Sequence, residues 1–465
     1  MYTILGIERD ASGILIDVKH APKPVTNQGT LYPVQLIPPN WNLQNAVELH
    51  GKHLYDALIK AHRGVQEAFD QLTNSAEASH QLYLKFGNPL ADQQYWETLH
   101  NNCQFLSLSL QPEIQIGRLT DNTNGIGVDN RAVYPHEFCI MAYLSALRLP
   151  AQQEWDNLLA AAHHAIKGGI NVKLVVRVGE PGLLQAIQQQ KIADGLNFLE
   201  IAAIPVLPVD AIKDLENHKP QILHLFCHGS ATASQKYLSF GTIANWLDHA
   251  NGQPASSKPL TLTDAHLKSP GLWLIVLNCC EGARAPAGAC SLAYDLVSKQ
   301  EVPAVIGSLE ELGQPQANSL SGRLYTEVID ELTDWLQQGQ AELRLMWPKL
   351  MARIRHQLEQ ELASAQIPST DDRTWSIPVL YVRWTDFVVQ REDVITPEML
   401  SKLIEVSNLL KANPAMPAGV KTTIIATILQ DVPQEYWPDL HGNLPGPESA
   451  AELNDDNTLP NMLSQ

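Results

Sequence analysis

The sequence predicts an α/β protein built on a mainly parallel sheet covered by helices on both faces. Two observations carry that prediction. From about residue 137 onward, short apolar segments alternate with helical ones. Two of those segments, WLIVLN at 273–278 and VPAVIG at 302–307, are near-continuous apolar runs, as strands buried on both faces require. The composition agrees: of 465 residues 45% are hydrophobic and 18% charged, a globular mix able to bury a sizeable core.

The elements follow in order. Ile4–Ile7 and Ile14–Val18 read as a hairpin joined by the turn-forming Asp10-Ala-Ser-Gly13. A short strand is expected at Tyr32–Ile37, stopped by Pro38-Pro39. Leu54, Leu58, Ala61, Val65, Phe69 and Leu72 step by three or four and predict a helical face. Leu82–Phe86 and Phe105–Leu110 are strand candidates, and 121–130 (DNTNGIGVDN) is a loop. The alternating region offers strands at Phe138–Leu144, Val172–Val178, Phe198–Val206, Ile222–Cys227, Leu272–Asn278 and Val302–Gly307. Helices are expected at Gln153–Ile166, Gly182–Ala193, Val209–His218 and Ala289–Lys299, with a loop at 252–259. Leu320 to Leu336 and Leu350 to Leu362 repeat every four residues and predict two long helices, before a last strand at Ile377–Val382. Residues 386–440 read as a helical, strand-free appendage, and 441–465 as a polar, acidic, disordered tail. The organisation expected is an N-terminal hairpin extension (1–30), a main domain (31–385, core about 137–385), the appendage and the tail.

Charge and cysteine usage narrow the function classes. Lys+Arg number 32 and Asp+Glu 50, a formal charge of −18, which argues against a broad nucleic-acid-binding face. The N-terminal MYTILGIERD does not read as a signal peptide, and no apolar run is long enough to span a bilayer. Six cysteines, irregularly spaced, do not form a disulfide framework, so a cytoplasmic protein with reduced thiols is expected.

Two strand ends could carry chemistry. Gln221-Ile-Leu-His-Leu-Phe-Cys-His-Gly-Ser230 and Leu274-Ile-Val-Leu-Asn-Cys-Cys-Glu-Gly-Ala283 are apolar strands that end in reactive side chains followed at once by glycine or a short loop. Carboxyl ends of strands form the ligand crevice in open α/β sheets. On neighbouring strands, His228 would face Cys280, and an imidazole can convert a nearby thiol to a nucleophilic thiolate. Gly229 lets backbone approach closely, so its N–H could help to hold an oxyanion. A cysteine or histidine at such a place is also commonly mere packing. A metal or redox module built from His224, Cys227, His228, Cys279 and Cys280 is a second class, although alternation puts Cys227 on the face opposite the histidines.

These two segments resemble the His and Cys boxes of CHAT-domain peptidases, bacterial relatives of caspases and separase. Tyr95-Trp96-Glu97-Thr98-Leu99 with Gln104-Phe105-Leu106-Ser107-Leu108 is similar to another conserved region of that family. The helical stretches Glu154–Ile166 and Gly182–Ala193, the strand Val302–Ser308 and the closing strand Ile377–Trp384 also fall where the family places them. The resemblance covers roughly residues 31–385. It implies a caspase-like fold and a cysteine endopeptidase with His228 as base and Cys280 as nucleophile. Oxyanion donors would come from the backbone near Gly229 and Cys280. Cys279 and His224 would serve as packing, and no cofactor or metal would be needed.

The family also implies a protein substrate such as a gasdermin-like effector, an activating sensor or regulatory protein, and a role in bacterial defence or cell death. No membrane or direct nucleic-acid partner is expected. Where many CHAT domains carry an aromatic-Pro-hydrophobic turn, this chain has Leu309-Glu310-Glu311. Glu310 or Glu311 could attract a basic substrate side chain, or be solvated loop acids. Tetratricopeptide repeats, frequent before CHAT domains, are not visible. A catalytically silent CHAT scaffold that binds partners is the alternative function.

Overall fold

The N-terminal hairpin forms from β1 (Tyr2–Asp10) and β2 (Gly13–His20), and β3 (Tyr32–Val34) adds antiparallel to β2. Leu5, Ile7, Ile16 and Val18 are wholly buried, so the hairpin has an apolar face that must be covered. The helical period over 54–72 covers it as two helices, α1 (Ala46–Ala61) and α2 (Arg63–Thr73). The break is His62, in extended conformation at φ −144°. Its Nδ1 accepts from the Gly64 N–H at 2.9 Å and caps α2, which leaves Nε2–H to donate to the Thr30 carbonyl at 3.1 Å. A Cβ on Gly64 would stand 2.2 Å from the Thr26 carbonyl oxygen, so this entry admits only glycine.

The computed structural model describes residues 1–10, 13–74, 77–87, 91–120, 130–231, 236–279, 291–391, 397–430, 432 and 436–443. They divide into two compact units, one of Met1–Asn130, Pro135–Asp334 and Leu345–Phe387, the other of Arg131–Tyr134, Trp335–Arg344 and Val388–Gln465. In chain order the remaining elements are β4 (Ser79–Phe86), β5 (Glu113–Thr120), β6 (Arg131–Val133), β7 (Phe138–Leu144), α3 (Gln152–Lys167), β8 (Val172–Val178) and α4 (Pro181–Ala193). They continue with β9 (Leu199–Ala203), α5 (Pro208–His218), β10 (Ile222–Ala231), β11 (Lys236–Phe240), α6 (Ile243–Ala250), β12 (Leu260–Leu262), β13 (Leu274–Cys279) and α7 (Leu292–Ser298). The last are β14 (Ala304–Ser308), α8 (Gln314–Gln338), β15 (Glu342–Arg344), α9 (Trp347–Ser364), β16 (Pro378–Val382), β17 (Val388–Gln390), α10 (Pro397–Ala412) and α11 (Ala418–Ile428). No helix among the described residues is long and apolar enough to cross a membrane.

The first unit is mixed α/β. Its 14-stranded sheet runs β3-β2-β1-β4-β5-β16-β14-β13-β10-β7-β8-β9, with β11 and β12 branching from β10. The hairpin, expected as a separate extension over 1–30, is therefore continuous with the main sheet: β1 pairs in parallel with β4. Pairing is parallel on either side of β14–β16, which is antiparallel. β1, β4, β5 and β16 thus form one parallel block, and β14, β13, β10, β7, β8 and β9 another of opposite polarity, with carboxyl ends at opposite edges, while β2, β3, β11 and β12 join through antiparallel pairs.

At the carboxyl edge of the first block the crevice is filled. Arg118 on β5 is wholly buried and donates to Glu97 in bidentate fashion, at 2.9 and 2.7 Å, and to Asp92 Oδ1 at 2.7 Å. Tyr381 of β16 donates to the other Asp92 oxygen at 2.6 Å. Arg355 of α9, also wholly buried, bonds the Ile116 carbonyl at 3.2 Å and lies 4.0 Å from Glu97. Burial lowers the Arg355 pKa to about 10, whereas burial raises that of Asp92 against the pull of Arg118.

Phe105–Leu110, expected as a strand, is not one: Leu106–Leu108 is a single 3-10 turn. Leu108 N–H closes on the Phe105 carbonyl and Ser109 N–H on that of Leu106, and only isolated bridges form at the ends, Phe105 with His100 and Leu110 with Glu113. The appendage at 386–440 is not strand-free. In the second unit β17 pairs antiparallel with β15 and parallel with β6, a three-stranded sheet assembled from three distant stretches of sequence. Its helices α10 and α11 pack through Leu403, Val406, Leu410, Ile425 and Leu429. The loop expected at 121–130 and the tail at 441–465 fall largely outside the described residues.

Candidate active site

The second block has a topological switch point. The chain runs from β7 outward through β8 to the edge strand β9, then returns to β10 on the other side of β7 and continues to β13 and β14. Loops leaving the carboxyl ends of β7 and β10 therefore diverge and open a crevice between them. β7 and β10 stay paired to Leu144↔Phe226, and β10 and β13 to Cys227↔Cys279. His228 is the next residue of β10, where that strand turns to pair with β11, His228 opposite Ser239 and Gly229 opposite Leu238. Cys280 is the next residue in sequence after Cys279 and lies outside the described residues.

The half-buried His228 ring is held by the backbone. Its Nε2 lies 2.8 Å from the Leu147 carbonyl oxygen, in the loop after β7. A carbonyl only accepts, so Nε2 carries the proton and Nδ1 is the nitrogen that can take one in the neutral ring. The loop is fastened at both ends. Ser145 donates from N–H to the Phe226 carbonyl at 2.8 Å and from Oγ to the Gly241 carbonyl at 2.5 Å, and it accepts from Trp246 Nε1 at 2.9 Å. At the far end Gln314 Nε2 donates to the Pro150 carbonyl at 2.7 Å. Between them Arg148 adopts φ 78°, a left-handed conformation uncommon outside glycine, next to the carbonyl that holds His228.

The strand beneath is anchored by a buried polar group. Asn278 donates to Glu154 Oε1 at 2.9 Å and to Ser321 Oγ at 3.0 Å. Glu154 Oε2 faces His224 Nε2 at 3.1 Å without a well-aligned hydrogen bond; both side chains are wholly buried. Tyr325 packs its ring 5.9 Å from His224, and burial and Glu154 hold its hydroxyl well above the usual range. His224 is thus a sheet-face residue engaged with α3 and α8. Cys227 and Cys279 belong to the hydrophobic cluster on the other face, with Leu223, Leu225, Ile275 and Leu277. Among the described residues no group of three or more His, Cys, Asp or Glu side chains is arranged to hold a metal ion.

A cleft of about 360 Å³ opens at these strand ends, lined among others by Leu149, Phe226, Asn278, Cys279, Glu311 and Ala317. The two candidate acids part ways here. Glu310 forms a bidentate ion pair with Arg373, at 3.2 and 2.5 Å, and accepts from Tyr95 Oη. Arg373 in turn lies over the Trp41 ring at 4.5 Å. Glu310 is therefore occupied in structure, while the exposed Glu311 lines the cleft.

The same aromatic cluster holds His50, 3% exposed, with its ring edge-on to Trp41 and Tyr95 and neither nitrogen hydrogen-bonded among the described residues. Burial, and secondarily His53, lower its pKa from 6.5 to about 4. The unfolded chain takes up this proton near pH 6.5 and the folded one only near 4, so stability falls as pH drops through that window. The expected loss is about 3 kcal/mol at pH 4. Urea titrations at pH 7 and pH 4 on wild type and His50→Phe check it. The variant should lose correspondingly less stability on acidification, and an equal loss in both proteins would contradict the assignment.

The Leu147 carbonyl, Ser145, Trp246 and Gln314 were not evident from sequence. A backbone acceptor has no side-chain signature, and the others act through partners 80 or more residues away in sequence. The one available signal was position, the first turn after a central strand. No family model matches the chain, and no curated protein matches it.

Proposed function

We propose that the chain is a caspase-like cysteine endopeptidase of the CHAT type, with His228 as general base and Cys280 as nucleophile. The observation that carries this reading is the hydrogen bond from His228 Nε2 to the Leu147 carbonyl. It orients an imidazole at the switch point of the sheet, one residue past the Cys227↔Cys279 pair. The bond leaves Nδ1 to receive a thiol proton. In the reaction, the Cys280 sulfur attacks a peptide carbonyl while its proton passes to His228. Backbone N–H groups near Gly229 and Cys280 stabilise the oxyanion. His228 then protonates the leaving amine, and water hydrolyses the thioester. The substrate is a protein in the cytoplasm, such as a gasdermin-like effector in bacterial defence, cleaved once a sensor or regulatory protein activates the enzyme.

The test is a mass-spectrometric survey of new protein N-termini in cells expressing the chain with its genomic neighbours. Cys280→Ala and Cys279→Ala serve as controls. Cleavages lost only with Cys280→Ala are expected. Loss with Cys279→Ala alone would move the nucleophile by one residue. Biological activity that persists in Cys280→Ala would favour a non-catalytic scaffold.

A further inference from the structure

The lining of the cleft beside His228 carries one ionisable group apart from its thiols, the Glu311 carboxylate. Its sequence neighbour Glu310 is neutralised by Arg373, but Glu311 is exposed and makes no hydrogen bond or ion pair among the described residues. Arg148, the exposed cation of the adjoining loop, is not part of the lining. The walls are otherwise largely apolar, with Leu149, Phe226, Leu312 and Ala317. A long alkyl stem lies well on such walls while its charged head stays at the wet rim. A second cleft, of about 480 Å³, shares Gln314 with the first and is lined by Gln153, Asn157, Pro315, Asn318 and Ser319. Those amides and hydroxyls suit the peptide groups of a neighbouring stretch of main chain and carry no charge of their own.

We infer that the cleft selects a peptide with a lysine or arginine side chain, seated along Leu149, Phe226 and Leu312 with Glu311 as its counter-ion. This rests on the endopeptidase reading for the purpose of the site, but the binding itself does not require chemistry. A single carboxylate at the mouth attracts a cation and rejects an aspartate or glutamate side chain. A neutral side chain fills the walls but leaves that carboxylate without a partner.

The experiment has two arms. In the first, full-length Cys280→Ala protein is titrated with three acetylated tripeptide amides ending in arginine, norleucine or aspartate. Binding is read by saturation-transfer NMR. The arginine peptide is expected to bind about tenfold more tightly than the norleucine one, with the aspartate peptide weakest. Glu311→Gln should level arginine with norleucine, and Glu311→Lys should favour aspartate. Equal binding of the three, binding of none, or a preference that survives Glu311→Gln overturns the inference. In the second arm, wild-type protein is treated with acyloxymethyl ketones of the same three sequences and labelling is read by intact mass. Labelling at Cys280 without arginine preference removes the specificity and leaves the endopeptidase reading standing. Arginine-selective binding with neither labelling nor cleavage does the reverse.

Discussion

Alanine in place of His228 should lower kcat for the proposed hydrolysis by about a thousandfold or more while the protein stays folded. Removal of a positioned base commonly costs a factor in that range. The fold should tolerate the change because His228 is half-buried and past the last ladder pair with β13, where β10 pairs with β11 through backbone groups that alanine keeps. Its hydrogen bond to the Leu147 carbonyl is one neutral bond, a contribution of about 1 kcal/mol. The check compares kcat on the cleaved sequence with the thermal midpoint of the same preparation. A large loss of kcat at an unchanged midpoint supports a chemical role. A fall in both together would mean that His228 holds the β10 end in place. His224 provides the contrast. It is wholly buried against Glu154 and Tyr325, so His224→Ala should lower the midpoint before anything else.

Glu97→Ala should produce the largest loss of stability, about 3–5 kcal/mol, because it breaks a buried ion cluster by removing one member. Asp92, Glu97, Arg118 and Arg355 balance two negative charges against two positive ones, all wholly buried. Without Glu97, Arg118 keeps Asp92 as its carboxylate partner and the Gln94 carbonyl, and Arg355 loses its one nearby carboxylate among the described residues. Arg355 is the weaker point, since burial already lowers its pKa to about 10. Glu97→Gln keeps the shape and an acceptor and should cost less. The urea midpoint measures both variants. A Glu97→Ala midpoint within error of wild type would show that water enters the crevice and solvates the guanidinium groups.

The strand order was only partly legible in the sequence, although most strands were. Segments such as WLIVLN announce burial by composition alone, and β13 appears where they do. The β11–α6–β12 excursion was missed because strands of five and three residues and a helix of eight are too short for periodicity to separate. The helical face over 54–72 was recognised, but its division at His62 depends on tertiary partners, the Thr30 carbonyl and the close pass of Thr26 over Gly64. For the site, His228 was legible because its type and place agree. The acceptor that orients it belongs to the backbone of Leu147. Glu310 and Glu311 are indistinguishable as letters, and only the position of Arg373 separates their roles. Glu97 stood in a family-like segment, but its partner Arg118 is 21 residues away on another strand.

The reversal of polarity at β14–β16 divides evolutionary freedom between the two ends of the sheet. At one edge the strand termini close over interlocked charges, where single substitutions are penalised and sequence should drift slowly. At the other, residues of β10 and β13 and of the segments that follow β7 and β14 line the cleft, and an exposed position such as Glu311 can change without disturbing that cluster. A lineage could therefore retune what enters the cleft by ordinary point mutation, drawing on a reserve of stability held at the opposite edge.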